Sequence, residues 1–273
     1  MAELHSDRSF AWGLGLVGSA FVVLVAAMVA ALIGSTSWAD VATTLARDDI
    51  QHAIMMTLLT CSLSSILAIW VAVPLAYAVS RHRFFGRTLI DAAIDIPLTL
   101  PPLVVGLGLL VLFNSPMPIG TESLDRFIHR TTGLAITYQW PAIVLAQFTL
   151  GAALSTRTMI AIFDTTPDRG ERIAWTLGAT RMNAFCRVVL PSVRRGILTT
   201  LLLAWARSLG EFGPVLVFAG ATRMKTEVLS TSIYLELNAG RIESAVAISL
   251  LMIAMSVVII GCVRRIGRVG VHR

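Results

Sequence analysis

Arg207 and Glu211 stand inside an otherwise apolar run, Ala204 to Gly220 (AWARSLGEFGPVLVFAG), and offer the most chemistry of any pair in the chain. Four residues apart, they share one helix face. An ionisable group within a lipid-crossing segment costs about 3 kcal/mol or more unless it is paired or wetted. The pair is therefore either a salt bridge that fixes two helices or part of a route for a solute. Gly210, Gly213 and Pro214 flank the acid. Proline removes a backbone donor and the glycines permit bending or close packing, so a hinge is expected in the outer half of this segment. Asp95, beside Pro97, is placed to cap free backbone donors of a distorted helix. Acid–base catalysis by Glu211 or Asp95 would need a positioned partner, and no Ser/His/Asp order or Cys/His pair falls at a common depth. Cys61, Cys186 and Cys262 are far apart and lack ligand spacing. The histidines are isolated too: His52, His82, His129 and His272 at segment ends and His5 in the N-terminal tail.

A second polar feature is an island between apolar runs, Glu171 to Pro191 (ERIAWTLGATRMNAFCRVVLP). Thr166 is read as an N-cap, followed by Pro167 in the first helical position and Asp168 in the first turn, where the helix dipole favours an acid. Gly178 occupies the place of a left-handed C-terminal residue, Thr180 offers a second N-cap, and Pro191 is expected to end the second segment. Two short helices joined at a glycine result. Arg169, Arg172, Arg181 and Arg187 stud the surface, while Ile173, Leu177, Met182, Phe185 and Val189 supply apolar contacts.

Glu171, Ala174, Gly178 and the terminal Leu190-Pro191 stand at the spacing of the EAA loop of ABC importer permeases, which the island resembles. The run from Ala204 to Gly220 resembles the corresponding helix in permeases of the molybdate, tungstate and sulfate group, and Leu100 to Leu110 (LPPLVVGLGLL) is similar to their third span. The likeness covers roughly residues 50 to 262, with one departure at Ile173, where the loop usually has a small residue. The resemblance implies that Glu171, Ala174, Gly178, Ala179, Phe185, Leu190 and Pro191 couple the chain to a separate ATPase. It also implies that Arg207, Gly210, Glu211, Gly213 and Pro214 line or gate the pathway. The implied partners are a second permease subunit, identical or closely paralogous, two ATP-binding subunits and a periplasmic or extracellular solute-binding protein. The implied cargo is an oxyanion such as molybdate, tungstate or sulfate.

The elements that must hold these residues are membrane helices. In 273 residues, 56% are hydrophobic and 14% charged, a balance foreign to soluble domains. Six spans are expected. Ala11 to Ile33 is uncharged and too long for a signal-peptide core, and Asp40 to Gln51 reads as a polar connection. Ala53 to Val79 follows, with a kink at Pro74; the third run begins at Leu89 and is bent by Pro97, Pro101 and Pro102. A polar loop, Asn114 to Tyr138 with Pro116 and Pro118, holds a short amphipathic segment near Leu124 to Ile128. Trp140 anchors the interface before the fourth span, Pro141 to Ile162, whose Arg157 snorkels toward the near surface. Gly196 to Gly220 and Ala245 to Val263 complete the set. Between them, Ala221 to Arg241 carries Arg223, Lys225, Glu227, Glu236 and Arg241, a mixed surface able to receive another protein or simply a solvated loop.

Basic residues gather at Arg8, at Arg81, Arg83 and Arg87, around the island and in the tail with Arg264, Arg265 and Arg268. That distribution places both termini and the island in the cytoplasm of a bacterial-type inner membrane, and it reflects orientation rather than nucleic-acid binding. Of 22 basic residues only Lys225 is lysine, and it lacks the glycine-rich lead of a phosphate loop. No cofactor is expected on this chain, and ATP with Mg belongs on a partner. The chain divides into an N-terminal span and outer loop (1–51), a permease domain (52–263) and a basic tail (264–273). The fold expected is all-α: a six-span helix bundle with a cytoplasmic coupling loop between spans four and five. The function expected is that of an ATP-driven importer's permease subunit. An importer subunit for another small solute, a stand-alone secondary transporter with Arg207 and Glu211 as its coupling site, or an intramembrane enzyme are the alternatives.

Overall fold

The computed structural model describes the backbone of residues 2–82, 85–116 and 122–268, and their side chains apart from those of 2–15, 17, 267 and 268. Arg83, Pro118 and His272, with the side chains of His5, Arg8 and Arg268, lie outside that description. The described residues are helical with turns, and the one bridge among them is an isolated pairing of Pro116 with Ser123.

Helix α1 (Ala2–Gly34) turns by 79° into α2 (Trp38–Leu45). Ser37 caps α2 in a reciprocal box with Asp40, so the stretch expected to be a polar connection is helical instead. Helix α3 (Asp48–Arg81) runs unbroken through Pro74. The third apolar run is two helices, α4 (Arg87–Thr99) and α5 (Pro102–Asn114), set 114° apart. Neither Pro101 nor Pro102 can donate a backbone hydrogen bond, and Leu100 is driven to an extended conformation by the proline after it (ψ 144°). The amphipathic segment is α6 (Leu124–Thr132), closed by Gly133 at φ 74°. Helix α7 (Trp140–Thr165) starts with Pro141 in its first turn.

Two short elements follow, α8 (Arg169–Thr176) and α9 (Arg181–Ala184). A π-helical turn, Phe185–Val189, joins α9 to α10 (Leu190–Leu209), so the helical path continues from 181 to 209. Pro191 therefore does not end the segment. Its ring collides with the carbonyl four residues earlier, and the wider π turn removes that collision. Helix α10 stops at Leu209, short of the expected span end at Gly220, and α11 (Gly213–Phe218) starts afresh with Pro214 in its first turn. The outer loop folds as α12 (Leu229–Asn238) before α13 (Ile242–Arg268).

Among the described residues, four helical stretches are long and apolar enough to cross a membrane, and the two bent pairs raise the number to as many as six. At the centre, α3 lies along α7 with α10 against both. Small residues allow this approach: Ala68, Ala72 and Ala76 of α3 and Ala146 and Ala153 of α7 are all buried, and a Cβ on Gly151 would lie 3.7 Å from that of Ala68. One apolar cluster (Val73, Met159, Phe163, Val189, Val193) underlies the α8–α9 unit. Another (Phe113, Ile143, Val215, Phe218) packs α5 and α11 against the start of α7.

Candidate functional site

The α8–α9 unit is held by its turn. Gly178 has φ 85°, its N–H donates to the Trp175 carbonyl at 3.0 Å, and the Ala179 N–H donates to the Ala174 carbonyl at 2.9 Å. These two bonds form a Schellman cap, which only a left-handed residue between them closes without strain. Ala174 and Ala179 are thus the two ends of one hydrogen bond. Thr180 caps the next helix, its hydroxyl accepting from the Asn183 N–H at 3.3 Å. Thr166 does not cap α8 as expected. It ends α7, and its hydroxyl donates back to the Ile162 carbonyl, because Asp168 is the residue that precedes the first helical turn.

The turn presents an apolar tip. Leu177 is 81% exposed, Met182 69% and Ile173 49%. Arg172 pairs with Asp168 at 2.5 Å, and the Arg181 guanidinium lies over the Trp175 ring, 5.9 Å from its centroid. Phe185 and Val189, expected among the same contacts, point inward. Beside the tip lies a cavity of about 670 Å³ lined by Arg81, His82, Asp168, Glu171, Trp175 and Arg181 among others.

Glu171 behaves unlike its neighbours. It is 4% exposed, and its carboxylate accepts a hydrogen bond from the Tyr77 hydroxyl of α3. The Tyr77 ring packs against Phe163 of α7, Phe185 of the π turn and His82, with centroids 5.7, 4.6 and 5.9 Å away. Gly170 brings α8 against the π turn, where an added Cβ would lie 3.2 Å from Val188. Tyr77 has no sequence signal of its own, since a lone tyrosine late in an apolar helix also suits an interfacial anchor.

The second set of residues is not one array. Arg207 and Glu211 do form an ion pair, with Glu211 buried and Arg207 partly exposed at the C-terminal end of α10. The Ser230 hydroxyl donates to the Glu211 carbonyl at 2.8 Å, tying this end to α12. Gly210 closes α10, and the helix ends there. Gly213 and Pro214 face α5: a Cβ on Gly213 would lie 3.3 Å from Pro102, and one on Gly106 would lie 2.7 Å from the Pro214 Cα. Gly213 and Gly106 let the two interrupted helices approach closely.

Asp95 sits within α4 and caps nothing; with Asp91 it receives the Arg157 side chain of α7, at 2.5 and 3.1 Å, so Arg157 is clamped rather than snorkelling. The 221–241 stretch is not a free mixed surface. Arg47, Arg223 and Arg241 all donate to the buried carboxylate of Glu236, at 3.0, 2.7 and 2.6 Å, and Asp49 joins the same network. Burial alone would raise the Glu236 pKa, but hydrogen bonds from Arg241, Arg47 and Arg223 override it and bring the value from 4.5 to about 2.

A family model for the binding-protein-dependent transport system inner membrane component matches residues 64–268. The chain is 34% identical over 228 residues to the sulfate transport system permease protein CysT of Escherichia coli K12, covering 84% of this chain and 80% of that one. It is 31% identical over 259 residues to the molybdenum transport system permease protein ModB of Mycobacterium bovis, covering 94% and 95%. Among solved structures, a bacterial alginate ABC transporter, in complex with an alginate pentasaccharide-bound periplasmic protein, contains a chain of the same fold. The TM-score is 0.75 at 20% identity, with 96% of this chain and 95% of that chain aligned.

Proposed function

Since the chain belongs to the binding-protein-dependent transport system inner membrane component family, and so is a multi-pass permease subunit of an ABC importer, we propose that its α8–α9 unit docks on a separate ATP-binding subunit. The observation that carries this is the capped turn at Gly178, which holds Ile173, Leu177 and Met182 outward within a rim of arginines. A large exposed apolar cluster with a polar rim marks a protein-binding surface. Two copies of such a chain, or this chain and a close paralogue, form the pathway, with two ATP-binding subunits carrying ATP and Mg below. A periplasmic or extracellular solute-binding protein delivers the cargo above.

In this scheme each bent pair serves as one span, giving six spans. The basic excess puts both termini and the α8–α9 unit in the cytoplasm. ATP-driven closure of the partner subunits moves the tip. Helix α3 then links the two sides: Tyr77 lies near the tip, and Asp49, about 42 Å along the helix at roughly 1.5 Å per residue, lies in the Glu236 network. The break at Gly210 is the hinge, and α5 with α11 moves as one body because Gly106 leaves no room against Pro214. Arg207 and Glu211 stand beside that hinge, where they line or gate the route. By likeness to relatives that carry sulfate and molybdenum, the cargo is an oxyanion, of which sulfate, molybdate and tungstate are the first to test.

The test is uptake into proteoliposomes by the assembled complex. Uptake of one of these anions that requires both ATP and its binding protein is the expected result. Gradient-driven uptake by this chain alone would assign it to a different transport class.

A further inference from the structure

Glu171 is an acid on an eight-residue helix whose other long side chains, Arg169, Arg172, Ile173 and Trp175, are exposed. A carboxylate that met the partner subunit would be expected among them. It is instead turned inward and buried, and among the described residues Tyr77 is the donor that reaches it. The Tyr77 ring is wedged between α7 and the π turn by Phe163 and Phe185, above the cluster of Val73, Met159 and Val193. The hydroxyl is therefore fixed in place by packing before it meets the acid.

We propose that Tyr77 is a positioning residue for transport: its hydroxyl, donated to the Glu171 carboxylate, locks α8 to α3 so that displacement of the exposed tip is passed into the span. The proposal rests on the docking of α8–α9 described above and adds the link by which docking becomes movement. Gly170 provides the second point of attachment, seating α8 on the π turn beside Val188. With two attachments, α8 shifts together with α3, α7 and the base of α10. With one, it pivots at Gly170 and the motion is lost.

The test uses the full complex in proteoliposomes, with sulfate and molybdate as probes and both ATP hydrolysis and uptake recorded. Tyr77→Phe keeps the ring and its packing but removes the donor. Its ATP hydrolysis is expected to continue while anion taken up per ATP falls on the order of tenfold, the weight of a hydrogen bond to a charged group. Glu171→Ala, which removes the acceptor from the other side, is expected to give the same loss, and the double variant to lose no more than either change alone. Wild-type uptake per ATP in Tyr77→Phe, or additive losses in the double variant, would overturn the lock. A cysteine cross-link from position 177 to the ATP-binding subunit separates the two levels. Cross-linking with normal coupling in Tyr77→Phe removes the lock and leaves docking intact; absence of the cross-link in the unaltered background removes docking and the lock with it.

Discussion

Gly178 is the residue on which the α8–α9 junction turns, and its requirement is purely conformational. At φ 85° with nothing within 4 Å of an added Cβ, the site has room for a side chain but not the backbone energy for most of them. Gly178→Val is expected to cost the cap about 1–2 kcal/mol and to uncouple ATP hydrolysis from uptake, whereas Gly178→Asn is tolerated. Equal uptake per ATP in both variants would contradict this. This glycine was legible in the sequence because left-handed geometry restricts residue type, and Thr180 was legible for the same kind of reason. The burial of Glu171 was not legible, since an acid in a first helical turn satisfies the dipole whichever way it faces. Glu236 was equally opaque: its three arginine partners come from positions 47, 223 and 241, and only the fold brings them together. Glu236→Gln leaves those cations without their counter-charge and is expected to cost about 3–5 kcal/mol, read as a lower thermal midpoint in detergent. Because the folded pKa is depressed from 4.5 to about 2, the stabilisation is full above pH 4.5 and fades as pH falls through about 2. The thermal midpoint of the unaltered protein is therefore expected to drop across that window, and less so in Glu236→Gln.

At the scale of elements, the prolines act in three different ways. Apolar length located the spans, but a proline states only that a helix cannot continue unchanged. Pro74 is absorbed within α3, Pro101 and Pro102 produce a 114° turn, and Pro191 is accommodated by a π turn. Which outcome occurs depends on what packs beside the freed carbonyls, and that is a tertiary property. Pro191→Ala restores a donor and removes the collision, so the π turn is expected to tighten to α geometry. The resulting one-residue change of register rotates α8–α9 by about 100° relative to α10. Uptake per ATP is expected to fall sharply, and unchanged coupling would argue that the π turn has no part in orienting the tip. The α5–α11 contact gives a separate expectation. Gly106→Ala places a methyl 2.7 Å from the Pro214 Cα, a backbone atom that cannot swing aside. A loss of about 1–3 kcal/mol in stability is expected, and an unchanged thermal midpoint would mean that the two segments separate readily.

For the whole molecule, composition identifies a membrane protein, and the island's spacing resembles that of a permease. Side-chain partnerships across elements were hidden, because Arg157 with Asp91 and Asp95, Tyr77 with Glu171, and Arg47 with Glu236 join positions far apart in the chain. These links make the bundle a set of rods joined at both ends: α4 clamped to α7, and α3 held to α8 at one end and to the outer network at the other. Such an assembly passes displacement at the tip to the far side without a flexible middle. The most direct measurement is made at position 177, in Leu177→Cys with the exposed Cys186 and Cys262 replaced. In membranes holding the full complex, a thiol reagent that cannot cross the bilayer is expected to label this cysteine only from the cytoplasmic side, and a short cross-linker to join it to the ATP-binding subunit. Labelling from the outside, or a cross-linker that captures no ATP-binding subunit, would contradict the account.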